Sequence, residues 1–97
     1  MKKLRIMTVC GFGLGSSLVL KMTVDDVLQK HNIRAETFCS DADTATGQRF
    51  DLVITSNEME KLFAETKEPV VVINNFLSPD EVEEKAIPVI REMMGEQ

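Results

Sequence analysis

The stretch MTVCGFGLGSSLVL, Met7 to Leu20, begins as an apolar run, stops at a cysteine, crosses three glycines and ends in paired serines followed by aliphatics. Extended back to Leu4, the run reads as a buried strand, Leu4 to Val9, closed by Cys10-Gly11. From Ser16 the period changes. Leu20, Val24, Val27, Leu28 and His31 recur on one face of an amphipathic helix that ends at His31-Asn32. A strand that turns through glycines into a helix is the first half of a parallel crossover unit.

The pattern repeats outward from there. Ile33 to Cys39 reads as a second strand, followed by a polar stretch with room for one short helical turn. Asp51 to Thr55 is a third strand, its apolar part continuous as expected when both sheet faces are covered. Thr55 and Glu58 have the spacing of a capping box, which predicts a short helix to about Glu65. Pro69 to Asn74 is a fourth strand, and Ser78, Pro79 and Glu81 fit N-cap, N1 and N3 of a last helix reaching about Met94. The expected fold is α/β, a single domain over residues 1–97: a four-stranded parallel sheet with helices on both faces, Rossmann-like with a phosphatase-type loop. Such sheets bind ligands beyond the carboxyl ends of their strands, where the strand order reverses. Cys10 stands at the carboxyl end of the first strand.

Composition narrows the function. The net charge is −5 and no basic cluster is present, so a nucleic-acid partner is not expected. No apolar run approaches the ~18–20 residues that span a bilayer, and the MKKLRI start lacks the apolar core of a secretory signal. A cytoplasmic location follows as the default. The two cysteines, Cys10 and Cys39, and the single histidine have no metal-ligand spacing, so neither a metal nor a cofactor is expected.

The glycine loop is not a nucleotide loop of either common kind. GFGLGSS has Ser16 where G-x-G-x-x-G needs its last glycine, and it has no Walker lysine. It does suit a thiolate and an oxyanion. Unpaired amides and the macrodipole at a helix N-terminus lower a thiol pKa and bind anions. Glycines 11, 13 and 15 let successive amides point inward as a nest, and Ser16 and Ser17 add hydroxyls. Cys10 is therefore the candidate nucleophile. The loop Gly11, Phe12, Gly13, Leu14, Gly15, Ser16 and Ser17 is the candidate phosphate cradle.

The loop resembles that of low-molecular-weight tyrosine phosphatases, Cys-x5-Arg-Ser, except that Ser16 replaces the arginine whose guanidinium would stabilise the transition state. A site that takes phosphate on sulfur and releases it poorly to water is a carrier. The chain more specifically resembles the IIB component of the bacterial sugar phosphotransferase system, in the ascorbate-type branch of the lactose/ascorbate/galactitol-like group. The resemblance is carried by VCGFGLGSSLVLKM, DLVITS and NNFLSPDEVEEKAIPVIRE, and it covers nearly the whole chain. It implies a phosphocysteine at Cys10, a phosphorylated IIA protein as donor, and a membrane component IIC holding a sugar-like substrate such as ascorbate. It also implies transient residence at the inner face of the membrane by a chain that is monomeric on its own. Two alternatives stand beside it: a phosphatase or arsenate-reductase-like thiol enzyme, and a regulatory IIB-like domain.

Thr55, Ser56, Asn74 and Asn75 end the third and fourth strands on the edge where Cys10 ends the first. They are candidate secondary contacts to a phosphoryl group or a partner, with turn and capping roles as the alternative. His31 lies a full helix length from that edge and reads as structural. Cys39 closes the second strand, which would put both thiols at one edge.

Overall fold

A computed structural model places these elements in one sheet; it describes residues 3–9, 14–41 and 44–95, with residues 14–17 described by their backbone alone. The strands are β1 (Leu4–Val9), β2 (Ala35–Ser40), β3 (Leu52–Thr55) and β4 (Val70–Val72), and the helices α1 (Leu14–Lys30) and α2 (Pro79–Met93). All pairings are parallel, in the order β2-β1-β3-β4. β1 is flanked on both sides, with Val9 opposite Ser40 in β2 and Thr55 in β3.

The chain leaves β1 toward β2 and later returns past β1 to β3, so the direction of winding reverses beside β1. Right-handed crossovers then require the connections before and after the reversal to lie on opposite faces. The packing follows that rule. Ile6, Leu52, Ile54 and Val71 turn to one face, where they pack with Leu20, Val24 and Val27 of α1 and Val82, Ala86 and Ile90 of α2. Met7, Val9 and Val53 turn to the other, against Ala45, Phe50 and Phe63. Fully burying each such aliphatic is worth about 1.5–3 kcal/mol, so both faces anchor β1 and fix where its carboxyl end lies.

The second face is covered more lightly than the sequence suggests. Its connections are single 3₁₀ turns, Ala45–Gly47 and Glu60–Phe63. The helix expected from a Thr55–Glu58 capping box is therefore corrected to the second of these turns. Thr55 lies buried inside β3 with its hydroxyl turned to β1, where it donates to the Val9 carbonyl at 2.9 Å rather than standing at the start of a helix. Only Phe63 of that turn is buried, in an edge-to-face contact with Phe50 at 6.0 Å between ring centroids.

The long helices match their sequence signals closely. α1 starts at Leu14, two residues before the change of period, and ends in a Schellman motif. There Asn32 takes the left-handed conformation (φ 56°), Ile33 N–H donates to the Leu28 carbonyl at 2.9 Å, and Asn32 N–H donates to Gln29 at 3.1 Å. α2 is capped by Ser78, whose hydroxyl accepts from Glu81 N–H at 3.2 Å, with Pro79 in the first turn.

Candidate functional site

β1 ends at Val9, at the carboxyl edge beside the winding reversal, and α1 begins at Leu14. Cys10, Gly11, Phe12 and Gly13 lie outside the described residues. Leu14, Gly15, Ser16 and Ser17 form the first turn of α1. The first amides of any helix lack intrahelical acceptors, and their dipoles favour a negative group. Here they open at the edge where β1 stops.

The four secondary candidates divide sharply. Thr55 is fully buried and its hydroxyl is committed to Val9, so it ties β3 to β1 at the site edge and offers nothing outward. Ser56, the next residue, has a side-chain oxygen shut away from solvent with no hydrogen-bond partner. Ser56 also lines a cleft of about 510 Å³ at the carboxyl ends of β3 and β4, walled by residues 56–58 and 73–77. Asn74 and Asn75 line the same cleft.

The loop that carries these asparagines is held by a carboxylate. Glu81 accepts from the Asn74 amide at 2.7 Å and the Asn75 amide at 2.8 Å, and Lys85 pairs with it at 2.7 Å. Burial works against ionisation of Glu81, but the Asn74 amide, the Lys85 ammonium and the Asn75 amide outweigh it and hold its pKa at about 2. The Asn75 side-chain oxygen accepts from Leu77 N–H at 3.0 Å. From the other side, the Thr23 hydroxyl of α1 donates to the Phe76 carbonyl at 2.6 Å. The turn that walls this cleft is thus pinned by both helices.

Glu81 and Thr23 did not stand out as site-shaping residues in the sequence. Glu81 had a visible signal, glutamate three residues after a serine, but a capping box turns such a carboxylate toward the N-cap amide. Here it reaches further back, to Asn74 and Asn75. For Thr23 there was no signal, since its role depends on a residue 53 positions away.

His31 is structural, as its position implies. It sits where α1 ends, its Nε2 3.0 Å from Glu83 and its Nδ1 3.3 Å from the Arg91 guanidinium. A guanidinium only donates, so Nδ1 accepts and Nε2–H donates to Glu83. Lys30 joins the same carboxylate at 3.2 Å, and Lys30 first and then His31 hold Glu83 below its ordinary pKa. Cys39 is a free, half-buried thiol paired with Thr8, one residue short of the end of β2. Lys21 of α1 pairs with Asp25 at 2.8 Å, and that hydrogen bond, opposed by burial, raises its pKa. Asp25 also accepts from the Thr37 hydroxyl at 2.6 Å. Among the described residues no cluster of histidine, cysteine or acidic groups has the makings of a metal site, and no helix is long and apolar enough to cross a membrane.

Comparison with known proteins gives one consistent result. A family profile described as "PTS system, Lactose/Cellobiose specific IIB subunit" matches residues 5–86. The "Ascorbate-specific PTS system EIIB component" of Shigella dysenteriae serotype 1 is 35% identical over 91% of this chain and 90% of its own length. Its namesake in Salmonella typhimurium is 34% identical with the same coverage. Among solved structures, the lactose-specific IIB component domain from Streptococcus pneumoniae superposes with a TM-score of 0.57, covering 86% of this chain and 93% of that one. At 17% identity, that last likeness speaks for the fold.

Proposed function

Because the chain belongs to the lactose/cellobiose-type IIB family of the phosphotransferase system, we propose that Cys10 is the residue on which its phosphoryl group rides. The chain is a phosphoryl carrier of sugar transport. Of its two cysteines, Cys39 is half-buried inside β2, while Cys10 follows the last residue of β1 directly. The observation that carries the assignment is the pair of element ends around it. β1 stops at Val9 and α1 starts at Leu14, at the carboxyl edge where the winding reverses. Helix N-terminal amides there favour both a thiolate and a phosphoryl group.

The chemistry is a pair of displacements. The Cys10 sulfur uses a lone pair to form the S–P bond as the N–P bond of a IIA phosphohistidine breaks, and the electron pair of that bond returns to the imidazole nitrogen. In the second transfer an acceptor hydroxyl oxygen takes the phosphoryl group, the sulfur leaves as thiolate, and the hydroxyl proton passes to water. Both passages run through a loose transition state in which backbone amides steady the equatorial oxygens. Ser16 and Ser17 contribute neutral hydroxyls to the cradle, and glycines 11, 13 and 15, with Phe12 and Leu14 between them, supply its amides.

The acceptor is ascorbate, held by a membrane IIC component, and the chain works on the cytoplasmic face between IIC and the soluble donor. The names of the relatives support this reading, as does the Asn75-x-Leu77-Ser78-Pro79 run. Inverted membrane vesicles carrying an ascorbate-type IIC, supplied with phosphorylated IIA, test it. Ascorbate should be phosphorylated only when the wild-type chain is added. Phosphorylation of lactose in place of ascorbate, or equal activity with Cys10→Ser, would contradict the assignment.

A further inference from the structure

We propose that Ser56 is a ligand of the phosphoryl group, its hydroxyl donating a hydrogen bond to a phosphoryl oxygen on Cys10. Buried side-chain polar atoms are nearly always paired, and a native exception calls for an explanation. Among the described residues two such atoms are without a partner, the Ser56 hydroxyl and Arg5 Nε. Arg5 has company: its guanidinium lies 4.6 Å from the centre of the Phe38 ring, and Nε is 3.6 Å from Glu36. Ser56 has none, although its neighbours are fully employed. The Thr55 hydroxyl serves Val9, and the Asn74 and Asn75 amides serve Glu81.

The place of Ser56 in the sheet supplies the ligand. Thr55 and Val9 are register partners across β3 and β1. Ser56 follows Thr55 in the sequence just as Cys10 follows Val9, so the idle hydroxyl belongs to the residue directly after the register partner of the one that precedes the cysteine. Ser56 also walls the 510 Å³ cleft at the carboxyl ends of β3 and β4. A turn or capping role would leave the hydroxyl bonded to a nearby backbone group. The turn that starts here uses only the Ser56 carbonyl, which accepts from Met59 N–H at 3.1 Å. The hydroxyl is held without a partner in the free chain and gains one when the phosphoryl group arrives. It keeps its proton throughout, and its contribution is to hold an oxygen of the group while the bonds at phosphorus change.

This rests on the carrier reading, and the test separates the two. With phosphorylated ascorbate-type IIA as donor, intact-mass spectrometry follows phosphorylation of the wild type, Ser56→Ala and Ser56→Thr, and a thermal melt is recorded for each. Removing one transition-state donor costs on the order of 10²-fold in rate. Ser56→Ala should therefore slow phosphorylation by about that factor while melting at or above the wild-type temperature, because an unpaired buried hydroxyl has been removed. Ser56→Thr, which keeps the hydroxyl, should recover most of the rate. Wild-type kinetics in Ser56→Ala would overturn the proposal and leave the carrier reading standing. So would a slow Ser56→Ala that melts lower and is not rescued by threonine. A wild type that takes no phosphoryl group on Cys10 would remove the carrier reading and this proposal together.

Discussion

Glu81 fixes the wall of the site through a single carboxylate. It receives two backbone amides and a lysine, and hydrogen bonds to a charged group contribute about 1.5–3 kcal/mol each. Glu81→Ala should therefore lower stability by at least that amount in urea unfolding at neutral pH. A depressed carboxylate stabilises the fold above its unfolded pKa, and the benefit is lost as pH falls through the folded value. The gap between wild type and Glu81→Ala should thus be full above about pH 4.5 and close as pH approaches about 2. A second residue-scale prediction concerns Cys10. In a Cys39→Ser background its alkylation should titrate below the ~8.5 of a free thiol. A midpoint at or above that value would remove helix-terminal activation from the mechanism.

At the scale of elements, what the sequence revealed depended on whether a signal was local. β1 and β3 emerged to within a residue, because continuous apolar runs bounded by polar residues are strong local signals for buried strands. The helix α2 was equally legible, since Ser78, Pro79 and Glu81 write its N-terminus in one short run. The region after β3 was not. Thr55 and Glu58 have the spacing of a cap, but the threonine is buried in β3 with its hydroxyl turned to a non-local acceptor, the Val9 carbonyl. The end of α1 offers a check on this view. Asn32 is left-handed there, which costs most residues roughly 1–2 kcal/mol and glycine little. Asn32→Gly should preserve or raise stability, and Asn32→Val should lower it by about that amount in the same unfolding assay.

At the scale of the whole molecule, a parallel sheet with a reversal in strand order was predicted from the strand–helix alternation, and the β2-β1-β3-β4 order places that reversal beside β1. The division of labour along the carboxyl edge was hidden. It took the three-dimensional arrangement to separate Thr55, which ties the sheet, from Ser56, which ties nothing, and to show Glu81 and Thr23 bracing the opposite wall. A phosphoryl carrier whose candidate loop has Ser16 where the phosphatase loop has arginine should pass the group on rather than hydrolyse it. Neutral donors bind about half as strongly as charge-assisted ones. A chromogenic aryl phosphate should accordingly be turned over barely or not at all, and robust Cys10-dependent turnover would restore the phosphatase alternative. The most direct test of the central claim is the mass of the chain after incubation with phosphorylated IIA. The chain should gain a single phosphoryl group, unchanged in Cys39→Ser and His31→Ala and absent in Cys10→Ala; a phosphoryl group retained by Cys10→Ala would contradict the assignment.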